Sequence, residues 1–85
     1  MKYHVDWTTA ALKDLARIWM SSKDQNAVAE ASEKIDRLLE ADPLKHGSHR
    51  SEGLFRIEVG PMRVYFEIDE DGRRVEVTTA HSLRG

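Results

Sequence analysis

The sequence predicts an α+β domain in the order strand, helix, helix, strand, strand, strand (βααβββ), its helices on one face of a mostly antiparallel sheet. Three observations carry this reading. The chain opens with the alternation Tyr3-His4-Val5-Asp6-Trp7; two helically spaced apolar stripes follow before Pro43; and three alternating runs, separated by turn residues, fill the stretch after Gly53.

Each element has its own signals. Tyr3 to Trp7 alternates large apolar with polar residues, the period of a half-buried strand. Thr8 or Thr9 then offers an N-cap hydroxyl to a helix whose Leu12, Leu15, Ala16 and Trp19 recur at i, i+3, i+4 and i+7. The stripe pauses at Ser21-Ser22-Lys23-Asp24-Gln25, where Ser22 and Gln25 have the spacing of a capping box for a second helix. There Val28, Ala31, Ile35, Leu38 and Leu39 make the apolar face, and Glu30, Glu33, Lys34, Arg37 and Glu40 the solvated one. The two should pair as a helical hairpin, which Pro43 ends by disfavouring helical geometry at Asp42.

Leu44 to Gly53 is polar and reads as a loop. Phe55, Ile57 and Val59, then Val64, Phe66 and Ile68, form two strands around a turn at Gly60-Pro61. Asp69-Glu70-Asp71-Gly72 makes another turn, and Val75, Val77 and Thr79 alternate with Arg74, Glu76 and Thr78 in the last strand. If the apolar set of these strands faces the helices, Arg56, Glu58, Arg63, Tyr65, Glu67, Arg74 and Glu76 take the opposite, wet face. Function is to be sought there.

Composition narrows the classes. Eighty-five residues suffice for one domain, residues 1–85, and leave little room for a deep cofactor cleft beside a core, so a surface site is expected. Cysteine is absent, which removes disulfides, cysteine-type zinc sites and a thiol nucleophile, and suggests the cytosol. No apolar run approaches membrane-spanning length, and the first residues lack the apolar region of a signal peptide. Net charge is −2, yet residues 45–66 carry four Lys/Arg against two Glu. Any nucleic-acid contact must therefore come from a local patch.

Gly53-Leu54-Phe55-Arg56-Ile57-Glu58-Val59-Gly60-Pro61-Met62-Arg63-Val64-Tyr65-Phe66-Glu67-Ile68 resembles the central hairpin of the RelE/ParE toxin superfamily. That family has the form aromatic-Arg-Ile-x-Val-Gly-x-x-Arg-Val-x-Tyr/Phe-x-Ile after two helices and an Asp-Pro loop, and Asp42-Pro43 supplies the dipeptide here. The resemblance implies the toxin of a type II toxin–antitoxin pair, held inactive by a cognate antitoxin. Two activities divide the family. RelE-like members cut mRNA in the ribosomal A site without metal; ParE-like members bind and poison DNA gyrase. A relative that only binds an antitoxin is a third possibility.

RNA scission by the ribose 2′-hydroxyl needs a proton acceptor, charge stabilisation at phosphorus and a donor for the leaving 5′-oxygen. By resemblance Arg63 matches the hairpin arginine that contacts the scissile phosphate, a task that suits a permanently charged planar guanidinium. The plainer reading is a solvated arginine paired with Glu58 or Glu67. Arg56 falls where many RelE-like members carry a basic residue and can hold a second phosphate, while Tyr65 and Arg50 complete the RNA-contacting candidates. His81 follows the last strand, where nuclease members place a basic residue or histidine, and an imidazole, with an ordinary pKa of about 6.5, transfers protons at neutral pH. Glu52 and His49, in the loop before the hairpin, are weaker candidates for the general base.

Some features depart from the nuclease pattern. His81-Ser82-Leu83-Arg84-Gly85 contains no tyrosine to stack on a base, and Glu58, Glu67 and Glu76 oppose phosphate on the expected face. His46 and His49 have an H-x-x-H spacing, but in a loop without further ligands it gives no metal site. Tyr3, Trp7 and Trp19 are assigned to core packing. No nucleotide-binding or serine-hydrolase motif is present, so no cofactor is expected.

Overall fold

The computed structural model describes residues 2–83. The chain runs β1 (His4–Trp7), α1 (Thr9–Ser21), α2 (Gln25–Ala41), α3 (Pro43–His46), β2 (Ser48–Ser51), β3 (Leu54–Val59), β4 (Met62–Asp69) and β5 (Arg74–Ser82). The strands form one five-stranded sheet in the order β1-β5-β4-β3-β2. Its pairs are antiparallel except β1 with β5, which is parallel because α1, α2 and the hairpins carry the chain back across the sheet. Arg84 and Gly85, the end of the C-terminal segment that contains no tyrosine, lie outside the described residues.

Where the sequence predicts a loop from Leu44 to Gly53, the chain instead forms the single turn α3 and the edge strand β2. Asp42 N-caps α3 by accepting from Lys45 N at 3.1 Å, and Pro43 occupies the first turn, where its missing N–H costs nothing. The residues of β2, Ser-His-Arg-Ser, are all exposed, so this strand is fixed by backbone pairing with β3 rather than by an apolar pattern. That explains its silence in the sequence.

Helix starts differ in detail. Thr8 caps α1, accepting from Ala11 N at 3.0 Å. The cap of α2 is Asp24, which accepts from Ala27 N at 3.0 Å, rather than Ser22. Ser22 instead ends α1 and accepts from Asp24 N, while Gln25 donates from Nε2 to the Trp19 carbonyl. Asp outcompetes Ser here because its carboxylate accepts from the amide directly at the helix start.

The core lies between the helices and one sheet face. Val28, Ala31, Ile35 and Leu39 of α2 are buried against Ile57, Met62, Val64, Phe66, Val75, Val77 and Ala80. Each large side chain so removed from water contributes roughly 1.5–3 kcal/mol. The stripe expected on α1 is rotated. Ala11 is its buried residue, with Leu15 and Ile18 half-buried, whereas Leu12 and Trp19 stay 52% and 44% exposed. The small Ala11 lets α1 approach the sheet, so the Ala11/Leu15/Ile18 face faces inward. Trp19 is therefore not a core residue; Leu12, Ala16 and Trp19 instead line an apolar groove of about 270 Å³ with Val28, Ala29 and Ser32 of α2. Trp7 is half-buried, its indole N–H donating to Asp36 Oδ1 at 2.8 Å.

Among the described residues no helix is long and apolar enough to cross a membrane.

Candidate functional site

On the sheet face away from the helices, side chains line up in cross-strand rows. The first is Glu58, Arg63 and His81, contributed by β3, β4 and β5; the second is Ser48, Arg56, Tyr65 and Thr79. A third row is acidic, with Glu67, Glu76 and Asp6. The first two rows gather Arg56, Arg63, Tyr65 and His81 into one patch.

Strict alternation along the last strand would carry Thr79 and His81 to the side of Val75 and Val77, beneath the helices. Instead β5 has a bulge: Phe66 pairs with Val77 and Tyr65 with Thr79, leaving Thr78 unmatched. The extra residue reverses the phase. Val75, Val77 and Ala80 are buried, and His81 is exposed directly opposite Arg63. The imidazole meets the Tyr65 ring edge to face, with centroids 5.8 Å apart. A sign of this was present in the sequence, where apolar residues shift from odd to even positions between Val77 and Ala80.

Glu58 ties the two arginines together. Its Oε2 accepts from Arg63 Nε at 2.8 Å and stands 3.6 Å from Arg56 Nε. The Arg56 side chain is 25% exposed and that of Arg63 37%, so both guanidiniums remain reachable. Such a fork of two guanidiniums on one carboxylate has the charge and spacing to accept phosphate oxygens in its place. The acidic row lies next to it, around a hollow of about 260 Å³ formed by Asp6, Glu67, Asp69, Arg74 and Glu76. The face is thus split into a cationic half and an anionic half.

The other candidates lie apart from the patch. His49 pairs with Phe55 and touches its ring edge to face, on the helix side of the sheet. Glu52 is in the β2–β3 turn, beyond Leu54, at the opposite end of β3 from Glu58; the four-residue rise from Leu54 to the Glu58–Arg63 row alone spans roughly 13 Å. Arg50 is exposed in the register shift of β2. His46 ends α3, and no group of three or more His, Asp or Glu residues among the described residues is arranged to hold a metal.

The fold and sequence match known toxins. A solved structure of the RelBE2 toxin–antitoxin complex from Mycobacterium tuberculosis contains a chain that superposes with a TM-score of 0.80 at 26% identity, covering 96% of this chain and 99% of that one. A chain of the archaeal RelE–RelB complex from Pyrococcus horikoshii gives 0.71 at 14% identity, covering 99% and 98%. One from the chromosomal ParDE system of P. aeruginosa gives 0.61 at 17%, covering 98% of each. No curated protein matches the sequence significantly. Residues 5–84 fit the family model described as the ParE toxin of the type II toxin–antitoxin system parDE, and the chain belongs to that family, within the RelE/ParE toxin superfamily.

Proposed function

We propose that this toxin is a RelE-like ribonuclease that cleaves mRNA on the ribosome and is silenced by a cognate antitoxin. The observation that carries the reading is the shared exposed face of Arg56, Arg63, Tyr65 and His81, with Arg63 and His81 paired across adjacent strands. In this reaction the 2′-oxygen attacks phosphorus, the bond to the 5′-oxygen breaks, and a 2′,3′-cyclic phosphate and a free 5′-hydroxyl result. Arg63 stabilises the charge that develops on the non-bridging oxygens, and Arg56 holds an adjacent phosphate. His81 transfers the proton, and Tyr65 presents an aromatic face to a base. Glu58 must release the arginines for RNA to bind.

A second reading rests on the family match itself: a ParE-like toxin that blocks DNA gyrase by docking, without proton transfer. Induced expression separates the two. Mapped mRNA ends within coding regions, lost in His81→Ala together with growth arrest, support the ribonuclease. Intact mRNA, undiminished arrest in His81→Ala and inhibition of purified gyrase would replace it with the docking toxin.

For the antitoxin we infer a helical segment seated in the groove between α1 and α2. Leu12, Ala16 and Trp19 present apolar surface at helical spacing, and Ala29 and Ser32 are small enough to admit a backbone. The M. tuberculosis structure of this fold is a toxin–antitoxin complex, and that from P. horikoshii is a RelE–RelB complex. The compartment that fits these targets is the cytoplasm.

A further inference from the structure

The bulge that turns His81 toward Arg63 is held from outside the sheet. β1 pairs with β5 only as far as Trp7 and Val77; there the chain leaves the sheet, with Thr8 N donating to the Val77 carbonyl at 3.0 Å. Beyond that point the outer edge of β5 has no neighbouring strand, and its polar backbone groups need other partners. Two side chains, one from the N-cap of α1 and one from its second turn, supply them. Thr8 Oγ1 donates to the Thr78 carbonyl at 3.3 Å, and Asp14 Oδ2 accepts from Ala80 N at 3.1 Å. The other Asp14 oxygen takes Arg17 Nη1 at 3.1 Å, and only 20% of the Asp14 side chain is exposed.

We propose that Asp14 is a positioning residue for His81, an inference that rests on the ribonuclease reading. Peptide groups alternate in direction along a strand. Drawing the Ala80 N–H outward to Asp14 therefore fixes Ala80 into the core and the next residue, His81, onto the face of Arg63 and Tyr65. A bulge displaced by one residue turns that N–H toward β4, leaves the Asp14 carboxylate without it, and moves His81 off the patch. Asp14 thus acts through backbone phase, without touching RNA.

The test uses the full-length toxin with Asp14→Ala, Asp14→Asn and Asp14→Leu. Asn keeps an acceptor oxygen; Leu has nearly the same length and none, and serves if the alanine variant does not fold. Without the acceptor, the Ala80 amide should exchange at least tenfold faster and the nuclear Overhauser effect between the Tyr65 and His81 rings should disappear. The turnover rate on ribosome-bound mRNA should fall at least tenfold while RNA affinity stays within twofold, and Asn should restore all of these. Wild-type Ala80 protection and an intact Tyr65–His81 contact in the Ala or Leu variant overturn the proposal, as does a lost contact with unchanged turnover. Failure of the ribonuclease reading is seen separately, as intact mRNA on induction of the parent toxin, a result that leaves the ring contact in the parent protein unaltered.

Discussion

Glu58 and Arg63 stand directly opposite one another on β3 and β4, joined by a 2.8 Å hydrogen bond from Arg63 Nε to the Glu58 carboxylate. The same oxygen lies 3.6 Å from Arg56 Nε, so one carboxylate stands between two guanidiniums, in the place proposed for phosphate. Replacing Glu58 with Gln removes that competing charge. Since the pair is half exposed, stability should change by no more than about 1 kcal/mol, while affinity for single-stranded RNA at low salt should rise several-fold and its salt dependence steepen. An unchanged affinity and salt slope would show that the arginines do not meet phosphate.

Arg63→Ala should abolish cleavage without unfolding the protein. Losing one group that stabilises transition-state charge costs on the order of 100-fold or more in rate. The lost surface pair with Glu58 is worth only about 0.2–1 kcal/mol, and the thermal midpoint should move by no more than about 8 °C. Primer extension on mRNA, alongside a melting curve, checks both.

The apolar groove should be needed for silencing but not for folding. Leu12 is 52% exposed, so Leu12→Glu leaves the core intact while placing a charge where an apolar helix would seat. Co-purification with the antitoxin should be lost and the melting temperature of the isolated toxin kept. A normal joint peak on gel filtration would direct attention to the sheet edges instead.

Asp36 gives stability a pH dependence. Burial pushes its carboxyl above the ordinary value, Glu40 and Glu33 push the same way, and the hydrogen bond from Trp7 opposes them. The folded chain therefore keeps this proton to higher pH than the unfolded chain, and stability is lost as pH rises from about 4 through the raised pKa. Asp36→Asn retains an acceptor for the indole and carries no charge. It should melt higher than the parent at pH 7, and the advantage should shrink on acidification. Equal melting temperatures at pH 7 would contradict this.

Gly47 is required by space rather than by backbone conformation. It ends α3 with an ordinary φ of −89°, but a Cβ there would press on the ring of Phe66 and come within 2.8 Å of the Pro43 carbonyl oxygen. Phe66 is fully buried and cannot retreat. Gly47→Ala should cost about 1–3 kcal/mol, measurable by urea denaturation.

Much of this architecture was legible in the residues. Alternation in Phe55–Val59 and Val64–Ile68 puts Phe55, Ile57, Val59, Val64, Phe66 and Ile68 on the core side and Arg56, Arg63 and Tyr65 on the other, because side chains of a strand alternate between its faces. The α2 face from Val28 to Leu39 followed from helical spacing in the same way. The inward face of α1 is ambiguous in the sequence because Ala11 and Ile18 compete with Leu12 and Trp19 for the inward position, and only the sheet beneath selects between them. Strand β2 has no sequence signature because its four exposed residues carry no pattern.

By itself, then, the sequence determined the order of the elements other than α3 and β2, the apolar sets of α2 and the hairpin strands, and the arginines of the hairpin, since those depend on periodicity within single segments. The tertiary structure decided where His81 points and which side of α1 is wet. The first depends on a hydrogen bond between Asp14 and Ala80, 66 positions apart, and the second on the close approach that Ala11 allows. Neither contact exists until the helix lies against the strand.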